Sequence, residues 1–380
     1  MTARRLLQGL SLFAAVFAFG LVMFGAFVRL SDAGLSCPDW PTCYGQASWP
    51  TQTHEITQAD AAFPERPAEP HKAWREQVHR MLAGGLGVMV LVMALAAAWQ
   101  RRWARVAVIA AALSAAIGVG MYMRGEHVVS SFLAAAAMAL PVTVAWRLRL
   151  PGAWRIAILT LAVIVFQAML GMWTVTLLLK PIVVMGHLLG GMATFGLLVW
   201  TALRLAGVGA EDERHAHYRR WVLLGIGLLA MQIALGGWTS SNYAALACGF
   251  GDAAFPKCLG QWWPAHDFGQ GFVLWRGIGV DYEGGVLDLP ARTAIQMAHR
   301  LGALVVACYL GWLAWRSRRE RLGRFGLAIA LLLLTQIGLG IGNVHFGLPL
   351  PVATLHNGVA ALLLASLLAA LARAQARPRG

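Results

Sequence analysis

The stretch Arg75–Gly84, REQVHRMLAG, has a relative within the same chain: QMAHRLGALV, beginning at Gln296, puts His299 where the first has His79. Outward from this pair the match continues. Gly25–Cys37 (GAFVRLSDAGLSC) runs against Gly236–Cys248 (GGWTSSNYAALAC), and Cys43–Gln46 (CYGQ) against Cys258–Gln261 (CLGQ). Gln167–Gly171 (QAMLG) is mirrored by Gln336–Gly340 (QIGLG), and His187 by His356. The offset is 220 residues at His79/His299 but 169 at His187/His356, so roughly fifty residues of the first copy, between about 90 and 160, have no counterpart in the second. A duplication of this kind is read first, because it sets the unit whose stacking makes the core.

A chain of 380 residues that is 58% hydrophobic and 13% charged, with a mean hydropathy of +0.62, is too apolar for a soluble domain and reads as an integral membrane protein. Its net charge of +14 would suit nucleic acid only on a soluble fold with a basic face. Here the basic residues lie between apolar runs, and no nucleic-acid partner is expected. Runs long enough to cross about 30 Å of hydrocarbon fall near 7–28, 78–99, 103–122, 128–147, 156–178, 182–204, 220–239, 293–315, 324–343 and 352–372, ten in all. The first follows a short basic start with no clear cleavage site and reads as a span, not a signal peptide. Arg4, Arg5, Arg101, Arg102, Arg105, Arg147, Arg149, Arg155, Arg204, Arg214, Arg219, Arg220, Arg316, Arg318, Arg319, Arg321, Arg324, Arg373, Arg377 and Arg379 lie on alternate connections and at both ends. The positive-inside rule places them, and both termini, in the cytoplasm. The long loops at about 29–76 and 240–292 then project outside. The expected fold is all-α: two tandem pseudo-symmetric four-helix bundles, 1–205 and 206–380, with a helical hairpin inserted at about 101–150. The bundles run in the same direction, so their pseudo-two-fold axis lies along the membrane normal.

His79, His187, His299 and His356 all fall near the outer ends of their spans, one pair per repeat. One histidine in a membrane helix is most often a packing residue, but four in duplicate register point to function, because ionisable groups at that depth are costly. Imidazoles facing each other across a bundle suit the two axial positions of a haem iron. Glu76 breaks the symmetry, its counterpart being Gln296. At three residues' spacing Glu76 shares a helix face with His79, so one site carries a carboxyl and the other a neutral amide; the plain alternative is an ion pair from Glu76 to Arg80. Arg80 and Arg300 follow the histidine in both copies, either as partners for haem propionates or snorkelling to water. Cys37 with Cys43, and Cys248 with Cys258, lie in the outer loops. Neither spacing is a zinc signature, and an oxidising exterior favours a disulfide in each loop, structural or redox-labile. Cys308, within a span, is expected to be a buried free thiol. Gln167, Gln232 and Gln336, with their adjacent glycines, read as helix-packing motifs. Trp40, Trp49, Trp262, Trp263 and Trp275 either cover a porphyrin edge or rest at the membrane interface. His71, His127 and His266 lie outside the repeat and are given no role.

With RLSDAGLSCPDWPTCYGQ, EQVHR, GMWTVTLLLKP before HLLGG, ALAC with FPKCLGQWWP, AHRLGA and LHNG in place, nearly the whole chain resembles the haem A synthase family in its Gram-negative bacterial form. The inserted region departs from that family's usual eight spans. The resemblance implies oxidation of the C8 methyl of haem O to a formyl group, giving haem A for an aa-type terminal oxidase. It implies that His79 and His187 flank the substrate haem, with Glu76 as the catalytic group, and that His299 and His356 hold a haem B cofactor. It also implies a multi-pass protein of the bacterial inner membrane with periplasmic loops. The haem O synthase and a membrane electron acceptor are candidate partners beside membrane lipid, and a homo-oligomer is a candidate assembly. Two rival readings use the same residues. A di-haem electron carrier would more naturally set its haems on opposite sides of the bilayer, and a repeat-built transporter would show polar or broken helices at mid-membrane.

Overall fold

The structure is a computed structural model describing residues 3–148, 150, 152–209, 216–319 and 322–375. Arg149, Arg214, Arg321, Arg377 and Arg379, and the side chain of Arg319, lie outside the described residues. The helices are α1 (Ala3–Leu30), α2 (Thr53–Ala62), α3 (Pro70–Ala98), α4 (Arg102–Met123), α5 (His127–Arg147), α6 (Gly152–Thr176), α7 (Pro181–Leu205), α8 (Ala216–Ser241), α9 (Phe268–Gly271), α10 (Leu289–Arg319), α11 (Gly323–His345) and α12 (Leu350–Arg373). All but α2 and α9 are long and apolar enough to cross a membrane, ten among the described residues. The expected count holds.

Two spans begin earlier than their apolar runs. Helix α3 starts at Pro70, whose fixed φ suits the first turn, and α10 starts at Leu289. The polar turns added to α3 carry Glu76 on regular helix, and Gln296 lies in the first turn of the apolar run of α10. The ends of α1, α6, α8 and α11 repeat one geometry four times. Two residues past each helix the backbone is left-handed, at Asp32 (φ 50°), Leu178 (49°), Tyr243 (52°) and Gly347 (70°). The next amide reaches back five residues, from Ala33 to Val28, Leu179 to Thr174, Ala244 to Thr239 and Leu348 to Asn343. This Schellman closure satisfies carbonyls that a helix end would otherwise leave open. The structural repeat is therefore smaller than the sequence duplication: a helix pair, four times over.

Helices α1, α3, α6 and α7 close one ring, and α8, α10, α11 and α12 the other. Between the rings α1 packs on α12, its counterpart α8 packs on α7, and α7 meets α12. Exchange of equivalents across a contact is the mark of a two-fold relation. Arg29 in the last turn of α1 donates to the carbonyl of Ser240, its match in the repeat (2.9 Å), and lies over the Tyr243 ring. The hairpin of α4 and α5 packs on itself and against α3 and α6. A Cβ on Gly118 would stand 3.3 Å from the Leu133 Cβ, so the two helices approach through small residues. One expectation is corrected: Cys308 is exposed, on the outer face of α10. In a membrane chain that face meets lipid, which a small apolar thiol suits as well as a core does.

Candidate functional site: two histidine pairs and one buried acid

The long connections before α3 and α10 are built alike. Cys37–Cys43 and Cys248–Cys258 are disulfides. In each loop the second cysteine exchanges backbone hydrogen bonds with the glutamine three residues on (Cys43 with Gln46, Cys258 with Gln261) around a left-handed pair, Tyr44-Gly45 and Leu259-Gly260. The arginine after each histidine holds this loop: Arg80 donates to the carbonyls of Asp39 (2.7 Å), Thr42 (2.6 Å) and Cys37 (3.2 Å), and Arg300 to that of Lys257 (2.9 Å), the match of Thr42. Burial pushes the Tyr44 hydroxyl up to about 12, so it stays protonated and donates to the Arg66 and Pro67 carbonyls.

Glu76 is buried, at 5% exposure. Arg80 pairs with one carboxyl oxygen; the other accepts from the Cys37 amide (2.9 Å) and lies 3.2 Å from Ser36 Oγ. The ion pair and the site carboxyl are thus one group. Ser36 also lines a cavity of about 160 Å³ with Glu65, Arg66, Glu69 and Glu283, residues of the two long connections. Gln296, at the matching position, is buried with its amide oxygen unpartnered.

Each histidine lies against a glycine five residues before the end of the neighbouring helix. A Cβ at Gly25 would fall 2.8 Å from His79 Cε1, at Gly171 3.1 Å from His187, at Gly340 3.2 Å from His356 and at Gly236 3.3 Å from His299. His79 is close enough to His187, and His299 to His356, to interact electrostatically. Nδ1 of His79 and of His356 is buried without a partner. Two imidazoles per bundle with unclaimed nitrogens, and bare glycine beside each ring, fit an iron whose other four positions are filled by a porphyrin. Among the described residues no three or more His, Cys, Asp or Glu gather as a bare ion would require.

Residues 8–137 and 125–368 match the family described as cytochrome oxidase assembly protein, COX15-CtaA. The chain belongs to that family. Its relatives include proteins named haem A synthase from Shewanella oneidensis (40% identical, over 93% of this chain and 92% of the relative), Rhizorhabdus wittichii (28%, 94% and 90%) and Caulobacter vibrioides (25%, 92% and 91%). The residues that match the family take in both histidine pairs and both long loops.

Sequence reasoning gave Gln167, Gln232 and Gln336 only a packing role and did not single out Lys180 or Tyr282. Gln167 lies 3.1 Å from His187 Nδ1, Gln232 3.1 Å from His299 Nδ1 and Gln336 3.2 Å from His356 Nε2, contacts that go beyond helix packing. Their signal was present as a glutamine four residues before each of three histidine-facing glycines. Lys180, 1% exposed, donates to the Arg276 carbonyl (2.6 Å) and sits 3.6 Å from the Trp275 ring centroid. It ties the second long loop down over the first bundle, where Tyr282 is buried against Leu35, Val175 and Leu179. Of the histidines outside the repeat, His266 is half-buried beside Trp263 and Phe268, and His127 packs on Tyr122.

Proposed function

We propose that the protein oxidises the C8 methyl group of haem O to the formyl group of haem A, with haem O bound between His79 and His187 in the first bundle. The observation that carries this reading is an asymmetry of the two sites, a buried carboxylate three residues before His79 against an amide before His299. Converting a methyl to a formyl group removes four electrons and four protons and brings in one oxygen. In two successive two-electron steps, through an alcohol, the proton traffic needs a base near the carbon. Glu76 is the candidate: its carboxylate accepts a proton or stabilises positive charge as it develops, and Ser36 with the cavity beyond offers a way out for protons. Arg80 and the Cys37 amide hold the carboxylate in place. In the second bundle His299 and His356 would hold haem B, which when bound supplies a one-electron redox centre. Arg300, part-buried with one terminal nitrogen unpartnered, retains donor capacity for a propionate. The domain division at about 205 separates the two tasks. By the arginine distribution the histidine-bearing ends face the periplasm of a bacterial inner membrane.

The test is the haem content of detergent-purified protein from a host that makes haem O and no haem A. Wild type should yield a formyl or C8-hydroxymethyl haem, and Glu76→Gln should retain haem O without converting it. Recovery of haem B alone from wild type, despite available haem O, would leave an electron carrier as the function.

A further inference from the structure

The four histidine sites differ in one respect. Three have a glutamine on the neighbouring helix, one turn before the glycine that faces the ring: Gln167 before Gly171, Gln232 before Gly236 and Gln336 before Gly340. At the fourth, one turn before Gly25, stands Leu21. Residues at i and i+4 share a helix face, so the substitution falls at the position from which a side chain would reach His79. Gln167 and Gln232 also donate to the carbonyl of their histidine (2.7 and 3.0 Å). They lie across Gly190 and Gly302, three residues after His187 and His299, where a Cβ would overlap the amide. His356 has Val359 at that spacing, and Gln336 meets only the ring. His79 has Leu82 there, no amide, and a buried Nδ1 with no partner.

We propose that Gln167, Gln232 and Gln336 are positioning residues that orient His187, His299 and His356 as iron ligands, and that His79, facing Leu21, is the loosely held, exchangeable ligand of the first bundle. The inference rests on the haem reading above. A ligand histidine keeps its orientation through the hydrogen bond of its other ring nitrogen, and such a bond also raises ligand basicity. The amide oxygens of all three glutamines are buried without partners. Turning an amide over, at the expense of its bond to the histidine carbonyl where there is one, presents that oxygen to a protonated ring nitrogen and leaves the opposite nitrogen to the metal. The distribution matches the tasks of the two bundles. A cofactor site gains from two supported ligands, whereas a site that takes in substrate and releases product gains from one ligand that lets go.

The experiment uses the full-length haem-loaded protein. Redox titration and low-temperature electron paramagnetic resonance follow the second-bundle haem in Gln232→Leu and Gln232→Glu, and transfer to apomyoglobin follows haem loss from each bundle. The midpoint potential should move up in Gln232→Leu and down in Gln232→Glu, an opposition that packing damage alone would not produce. In wild type, haem should leave the first bundle faster than the second, and Leu21→Gln should slow that loss about tenfold, the lower end for an added outer-shell partner. Unmoved potentials, shifts of one sign in both variants, or an unchanged rate in Leu21→Gln would overturn the proposal while the haem reading stands. Absence of any bis-histidine signal from wild type would remove both.

Discussion

A single methyl group tests whether the four glycines make room for the imidazoles. Alanine at Gly25 would place its Cβ 2.8 Å from His79, inside any real contact, whereas Gly20, five residues earlier on the same helix, has open space. Overpacking of this kind costs about 1–3 kcal/mol when neighbours must shift. Gly25→Ala should displace His79 and weaken the bis-histidine absorption of the first bundle, and Gly20→Ala should leave the spectrum unchanged. Gly236→Ala, at 3.3 Å, should be the mildest of the four histidine-facing substitutions. The histidines themselves were legible in the sequence because they repeat. The partners of the glutamines were not, since Gln167 meets His187 across a helix turnaround and Gln232 meets His299 from 67 residues away, distances that no helical period spans. For Glu76 the sequence offered both an ion pair and a site acid as alternatives, and the fold makes them compatible by supplying a second set of donors from the Cys37 loop.

At the scale of elements, the two disulfide loops look alike but have different neighbours. The first closes six residues and the second ten. Chain entropy alone makes these worth about 2.2 and about 2.7 kcal/mol, so the second contributes about half a kcal/mol more to stability. Only the first touches Glu76. Replacing Cys37 and Cys43 by serine should therefore reduce product formation more than it lowers the melting temperature, and replacing Cys248 and Cys258 should do the reverse, as thermal denaturation alongside haem extraction would show. The roof over the first bundle is testable in the same way. Lys180→Met removes the donors that hold the Arg276 and Gly277 carbonyls, and limited proteolysis within 272–287 should speed up several-fold while the second-bundle spectrum stays as it was. That roof was illegible in advance, because it brings a loop of one repeat onto the bundle of the other and leaves no periodic trace.

For the molecule as a whole, ten spans and a paired architecture follow directly from hydropathy and internal repetition, since each membrane helix satisfies its own backbone and must be long enough to cross. The hairpin was legible as two apolar runs and as a gap in the duplication, and its position beside α3 and α6 explains why it leaves both histidine pairs undisturbed. Deleting it, with a short polar linker from α3 to α6, should preserve the absorption of both sites and lower only thermal stability; loss of the first-bundle spectrum would show that α4 and α5 support the site after all. The histidines lie six to ten residues from the starts of α7, α12, α3 and α10, helices that all begin at the end where the long loops lie. The pairs therefore stand side by side at one depth. Carrying an elementary charge through the whole bilayer is worth about 2.3 kcal/mol per 100 mV, but an electron exchanged between the bundles would travel parallel to the membrane plane. Membrane voltage would do almost no work on it, and turnover should run at the same rate in energised and de-energised vesicles.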